Sequence, residues 1–162
     1  MKAILFSLAS IGLLSHISPA QTEAAPALAA VPAKLQELTY LTDARPAKDA
    51  SFYVYLSSAS WCGPCRAIMP KVVEQYPAIK AAGGEIILLC CDPTPQLGAN
   101  YVKKYNAEFP SVLYNLRYSK LELPGLTPPR SIPNVVIVNA EGKVLHNGHG
   151  ATLLNWQSII AK

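Results

Sequence analysis

At 162 residues, with 51% hydrophobic and 15% charged residues, the chain has the length of one domain and enough apolar content to bury a sizeable core, which excludes wholesale disorder. The formal charge of +4 includes Lys2, and the 14 basic residues are scattered, with Lys103-Lys104 the longest run. Without a clustered basic stripe, neither nucleic acid nor an anionic membrane surface is an expected partner.

Residues 1–20 read as a secretory signal peptide. Lys2 forms a thin basic start, Ile4 to Leu14 an apolar stretch, and Ser18-Pro19-Ala20 a small-residue cleavage site before Gln21. The alternative, an uncleaved anchor, is disfavoured because the stretch is short for the roughly 20 residues that span a bilayer. No Cys lies near the cleavage site, which argues against a lipid anchor. The expected product is an exported chain, periplasmic or secreted, with no stable membrane insertion after cleavage near Ala20. Residues 21–34 are Ala/Pro-rich and read as a linker. A single domain is expected over 35–162.

Within that domain a short first element is expected at Leu38–Leu41, then a turn at Asp43–Lys48. Phe52-Tyr53-Val54-Tyr55-Leu56 reads as a strand buried on both faces. Helical periodicity runs from Cys62 to Ala82, with Pro70 and Pro77 expected to bend or break it and Gly83-Gly84 to end it. Glu85–Cys91 is a second buried strand, Gln96–Asn106 a helix, and Val135–Val138 a third strand. A turn at Asn139–Gly142 leads to a return strand at Lys143–Asn147, and Thr152–Ala161 closes the chain as a helix. Strand–helix–strand followed by a hairpin and a helix implies an α/β fold with a central mixed sheet flanked by helices.

The chemistry concentrates at Cys62-Gly63-Pro64-Cys65. A thiol attacks only as its thiolate, and a helix start supplies free amides and the positive end of a dipole. The two-residue spacing brings Cys65 within disulfide reach of Cys62. Gly63 permits a tight entry, and Pro64 fits the first turn. Cys62 is therefore the expected attacking thiol and Cys65 the resolving one. A structural disulfide and half of a zinc site are the competing readings, and the strand-to-helix context favours redox chemistry.

Ser60-Trp61-Cys62-Gly63-Pro64-Cys65-Arg66, with Pro70 on the following helix and Ser131-Ile132-Pro133 before the third strand, resembles the thioredoxin family. The likeness is nearest to the exported TlpA/ResA branch and to nucleoredoxin-like proteins. The resemblance implies a thioredoxin fold, catalytic Cys62 and Cys65, and a substrate surface that includes Trp61, Gly63, Pro64, Ile132 and Pro133. It also implies a cis Pro133 that leaves the backbone before it free to pair with a substrate strand. Gly148 and Gly150 resemble the family's glycine that admits a close partner, and simple turn glycines are the other reading.

Two family carboxylates are missing. The strand position six residues before the first Cys is Leu56, where thioredoxins carry Asp. The position three residues after the second Cys is Ile68, where the cytochrome-maturation branch often carries Glu. Solvent, Asp92 or the Cys90-Cys91 pair are candidates for handling the Cys65 proton. Cys90 and Cys91 are either small apolar fillers on opposite faces of a strand or an auxiliary redox pair. Residues 109–130 form a Pro-, Tyr- and Leu-rich insertion, with Leu113, Tyr114, Leu116, Tyr118, Leu121 and Leu123 near alternation. It is read as an extra short strand or hairpin, and as either a groove wall or a cover for the sheet. Copper delivery would need a different cysteine spacing, and His146 and His149 are read as surface residues.

These readings converge on an exported thiol–disulfide oxidoreductase that reduces protein disulfides and uses no cofactor or metal beyond its own redox pair. A membrane electron donor would be its second partner. Oxidation or isomerisation of exported proteins, and non-catalytic peptide binding, are the alternatives.

Overall fold

The computed structural model of the chain describes residues 30–116 and 120–161. The expected signal peptide, linker residues 21–29 and Tyr118 lie outside the described residues. Five strands form one sheet in the order β3-β2-β1-β4-β5, comprising β1 (Phe52–Ser58), β2 (Gly84–Cys90), β3 (Ser111–Leu113), β4 (Asn134–Asn139) and β5 (Val144–His149). β1 pairs parallel with β2, and β2 with β3, while β4 runs antiparallel to both β1 and β5. The sheet is mixed, with the apolar run β1 at its centre.

Alternation along the strands makes two cores. Phe52, Val54 and Leu56 of β1, with Ile86, Leu88 and Cys90 of β2, face Met69, Val72 and Ile79 of α2 (Gly63–Ala81) and Tyr101 and Val102 of α3 (Pro95–Lys104). On the other face Tyr53, Tyr55, Ile87, Leu89, Val136 and Val138 pack with Val31 and Leu35 of α1 (Ala30–Leu35) and with Val112, Tyr114 and Leu123. Strands covered on both faces are continuous apolar runs, as their sequences are.

Several elements depart from the sequence expectations. Residues 30–34, read as the end of a linker, belong to α1. Val31 and Leu35 are fully buried, and the Val31 amide donates to Ala140 O at 3.0 Å. The expected element at Leu38–Leu41 is an irregular segment, held by Tyr40 Oη on Leu35 O and by the Leu41 amide on Ser111 O. α2 runs as one helix through Pro70 and Pro77. Pro70 withholds the amide that would bond Arg66 O, and Tyr105 Oη donates to that carbonyl at 3.5 Å. The closing helix opens with a 3-10 turn, Gly150–Asn155, before α4 (Trp156–Ile160). The insertion supplies the edge strand β3 and buried Leu123, and its Pro124 carbonyl accepts from Tyr55 Oη at 3.2 Å. Among the described residues no helix is long and apolar enough to cross a membrane.

Candidate active site

β1 ends at Ser58, and the chain turns through Ala59–Trp61 to place Cys62 as the N-cap of α2. The Cys62 amide donates to Ala59 O at 3.3 Å, closing the turn, and Arg66 N donates to Cys62 O at 3.1 Å, opening the helix. Pro64 sits in the first turn, where no intrahelical donor is needed. Cys62 and Cys65 are joined in a disulfide, with Cα atoms 5.2 Å apart. The Cys65 amide points at Cys62 Sγ from 3.2 Å. An anion forming on that sulfur therefore meets a free donor at the positive end of a helix.

The two sulfurs differ in access. Cys62 is 6% exposed and Cys65 fully buried, while Trp61, immediately before them, is 58% exposed. Across from the disulfide the Ile132–Pro133 peptide is cis. Ile132 O lies 3.8 Å from Cys62 Sγ, a contact only, because a disulfide sulfur has no proton to donate. The loop after β5 locks this segment in place. Gly150 N donates to Pro133 O at 2.9 Å, and a Cβ added at Gly150 would lie 2.6 Å from Pro133 Cβ and 2.8 Å from Ile68 Cδ1. Gly150 thus makes a close approach that no other residue would allow, whereas a Cβ at Gly148 would meet the swinging end of His146 at 2.7 Å and Thr152 Oγ1 at an ordinary 3.6 Å.

A thioredoxin-like family model matches residues 51–144, from the start of β1 to the start of β5. The chain belongs to the thioredoxin-like family. It is 34% identical over 91 residues to the thiol-disulfide oxidoreductase ResA of Bacillus thuringiensis subsp. konkukian, covering 56% of this chain and 50% of that protein. It is 32% identical over 101 residues to nucleoredoxin of Xenopus laevis, covering 60% of this chain and 23% of that one. The chain spans about half the length, or less, of the curated relatives it matches. Among solved structures, thioredoxin from Wuchereria bancrofti superposes with a TM-score of 0.56 at 23% identity, over 70% of this chain and 82% of that one, a likeness of fold.

Around this thioredoxin-like core, the upstream arm of the motif is braced by Asp92, just beyond β2. Its carboxylate accepts from Ser60 N at 3.1 Å, Ser60 Oγ at 2.5 Å and Cys90 Sγ at 3.1 Å. Trp61 Nε1 donates to Cys91 O at 3.3 Å, a second stitch between the same two segments. Asp92, named from the sequence as a candidate proton carrier, is 3% exposed, and these hydrogen bonds make it a brace for the loop. Sequence reasoning missed that role; an Asp at the end of a buried strand beside the motif was the available signal.

Cys90 and Cys91 are both buried free thiols on opposite faces of the sheet. Burial pushes the Cys90 thiol far above its ordinary range and raises Cys91 to about 12. That geometry fits the filler reading. The missing family carboxylates are replaced by apolar contacts: Leu56 is fully buried in the core, and Ile68 packs at Gly150 and its Pro133 neighbour. Asn115 and Leu116 of the insertion line a hollow of about 450 Å³ with Trp61 and Asp92, so this segment borders the site as well as covering the sheet.

Proposed function

We propose that this thioredoxin-like chain is an exported thiol–disulfide oxidoreductase that reduces disulfides in exported proteins through Cys62 and Cys65. The observation that carries the reading is the Cys62–Cys65 disulfide at the start of α2, with Cys62 Sγ facing both the Cys65 amide and Ile132 O. In the reduced protein the Cys62 thiolate attacks one sulfur of a substrate disulfide. A mixed disulfide forms and the first substrate thiolate leaves. The Cys65 thiolate then attacks Cys62 Sγ and expels the second. The substrate gains two electrons and two protons, and the Cys62–Cys65 bond re-forms. A membrane-held dithiol donor returns the protein to its reduced state, and no other cofactor enters. Trp61, Gly63, Pro64, Ile132 and Pro133 form the surface on which the substrate lies, with Ile132 O as the backbone acceptor beside the reacting sulfur.

The reducing direction is supported by the Gly-Pro dipeptide, and export by Lys2, the Ile4–Leu14 stretch and Ser18-Pro19-Ala20. The test is insulin reduction with dithiothreitol as donor: the parent accelerates it, and Cys62→Ser abolishes the acceleration. Turnover that survives Cys62→Ser refutes the assignment. The reduction potential of the couple decides direction, because a value at the oxidising end of the thioredoxin-fold range reverses it. N-terminal sequencing of the exported product is expected to begin at Gln21. Full-length chain retained in the cytoplasm overturns the export reading.

A further inference from the structure

Beside the disulfide, α2 and α3 enclose a cleft of about 130 Å³ lined by Ser60, Arg66, Leu97, Asn100, Tyr101 and Lys104. Resting on the oxidoreductase reading, we infer that this cleft recognises a carboxylate on the substrate, so that the preferred protein disulfides carry Asp or Glu close to the cysteine that Cys62 attacks.

Two of the polar groups here, Arg66 and Asn100, keep N–H donors that suit an anion, while the Ser60 and Tyr101 hydroxyls are already committed to Asp92 and Ser58. Ser60 O accepts from Arg66 Nη1 at 3.3 Å, which leaves the other guanidinium donors free to point outward. Ser60 Oγ gives its single proton to Asp92. Asn100 Oδ1 accepts from Gln96 Nε2 at 3.0 Å, leaving the Asn100 amide nitrogen as the group available in the cleft. Tyr101 Oη is turned inward to Ser58 Oγ at 2.9 Å.

Two cations line the cleft. Arg66 and Lys104 are exposed, and neither meets a carboxylate, since the ion pairs among the described residues are Lys34–Glu37 and Lys80–Glu85. Tyr105 touches both residues: its hydroxyl donates to the Arg66 backbone carbonyl at 3.5 Å, and Lys104 Nζ lies 5.7 Å from its ring centroid. The one apolar side chain lining the cleft, Leu97, is 44% exposed. A substrate strand crossing Trp61 advances about 3.3 Å per residue, so a carboxylate within about three residues of the disulfide reaches Arg66 on the first turn of α2. Bidentate pairing with a planar guanidinium suits a carboxylate, and Lys104 adds a point charge.

The test uses three disulfide-linked peptides identical except for Glu, Gln or Lys two residues from the cysteine. Each is mixed in excess with the pre-reduced full chain, and the two electrons per disulfide come from the Cys62/Cys65 dithiol. Release of peptide thiol is followed over a single turnover. At low ionic strength the Glu peptide is expected to react about 3- to 10-fold faster than the Lys peptide, with Gln between them. The preference should collapse in about 1 M salt, where screening acts within roughly 3 Å. Lys104→Glu should invert the order, and Lys104→Gln, a milder change on an exposed side chain, should flatten it. Equal rates for the three peptides, or a preference untouched by both substitutions, overturns the inference while leaving the oxidoreductase reading intact. Failure to reduce even the Gln peptide is the separate result that removes that reading.

Discussion

Gly150→Ala tests whether the Pro133 segment is held where it is by close packing. The new Cβ would sit 2.6 Å from Pro133 Cβ and 2.8 Å from Ile68 Cδ1. Carbon pairs are at their optimum at about 3.5–4.0 Å, so roughly 1 Å of movement is required. Ile68 Cδ1 can swing away, but Pro133 Cβ is part of a ring and can yield only by shifting the loop. Overpacking of this kind costs about 1–3 kcal/mol, offset in part by the lower unfolded-state entropy of Ala, worth about 0.4–1 kcal/mol. A net loss of about 1–2 kcal/mol lowers Tm by roughly 2–8 °C in a chain of this size. The same shift carries Ile132 O away from Cys62 Sγ, now 3.8 Å distant. Misplacement near 1 Å is worth up to about 100-fold in rate, so kcat/KM for insulin reduction should fall about tenfold or more. Gly148→Ala is the matched control. Its tight contact is with the His146 ring, which can swing away, and the His146–Thr152 bond put at risk is worth about 1 kcal/mol. Thermal melts and insulin turnover on both variants decide the matter. If Gly150→Ala melts and turns over like the parent while Gly148→Ala does no worse, the packing argument is wrong.

Asp92→Ala strips the partner from Ser60 N and Ser60 Oγ and should destabilise by about 1–3 kcal/mol, read from urea midpoints, with Asp92→Asn recovering part of the loss. Thiol counting on the non-reduced protein should find two reactive groups after denaturation and none before, because Cys90 and Cys91 are buried and neutral at ordinary pH. Those thiols also shape alkaline stability. The unfolded chain gives up the Cys91 proton near the ordinary value of 9.0 and the folded chain only near 12, so the stabilisation is whole below about pH 9 and is lost between those limits. Cys90 acts in the same direction. Urea midpoints should therefore fall as pH rises from about 9 towards 12, and replacing both cysteines with Ala should flatten that fall.

Much of the fold was legible in the sequence because its strands are covered on both faces. Phe52–Leu56, Glu85–Cys91 and Val135–Val138 are apolar without alternation, and each lies in a strand within a residue or two of the expected limits. The motif was legible for a similar reason, since its spacing and its strand-to-helix context are local. What failed depended on tertiary contacts. Ala30–Leu35 has the composition of a tether and six residues in which to show a period, and it is packing of Val31 and Leu35 under Tyr53 and Tyr55 that makes it part of the domain. Likewise nothing near Asp92 in the chain announces Ser60, nor does anything near Arg66 announce Asn100 and Lys104. Those groupings exist only once α3 packs against the start of α2.

The placement of the two tryptophans gives this protein a pair of built-in optical reporters. Trp156 is buried, stacked on Phe52 at 6.0 Å and hydrogen-bonded to Gln75, so its emission follows the integrity of the core. Trp61 stands in solvent beside a disulfide, a strong quencher of indole fluorescence at contact range. Reduction should brighten the red-shifted component and leave the blue one alone, whereas unfolding should move the blue one. One spectrum thus separates a change of oxidation state from a loss of structure, without a label or a substitution.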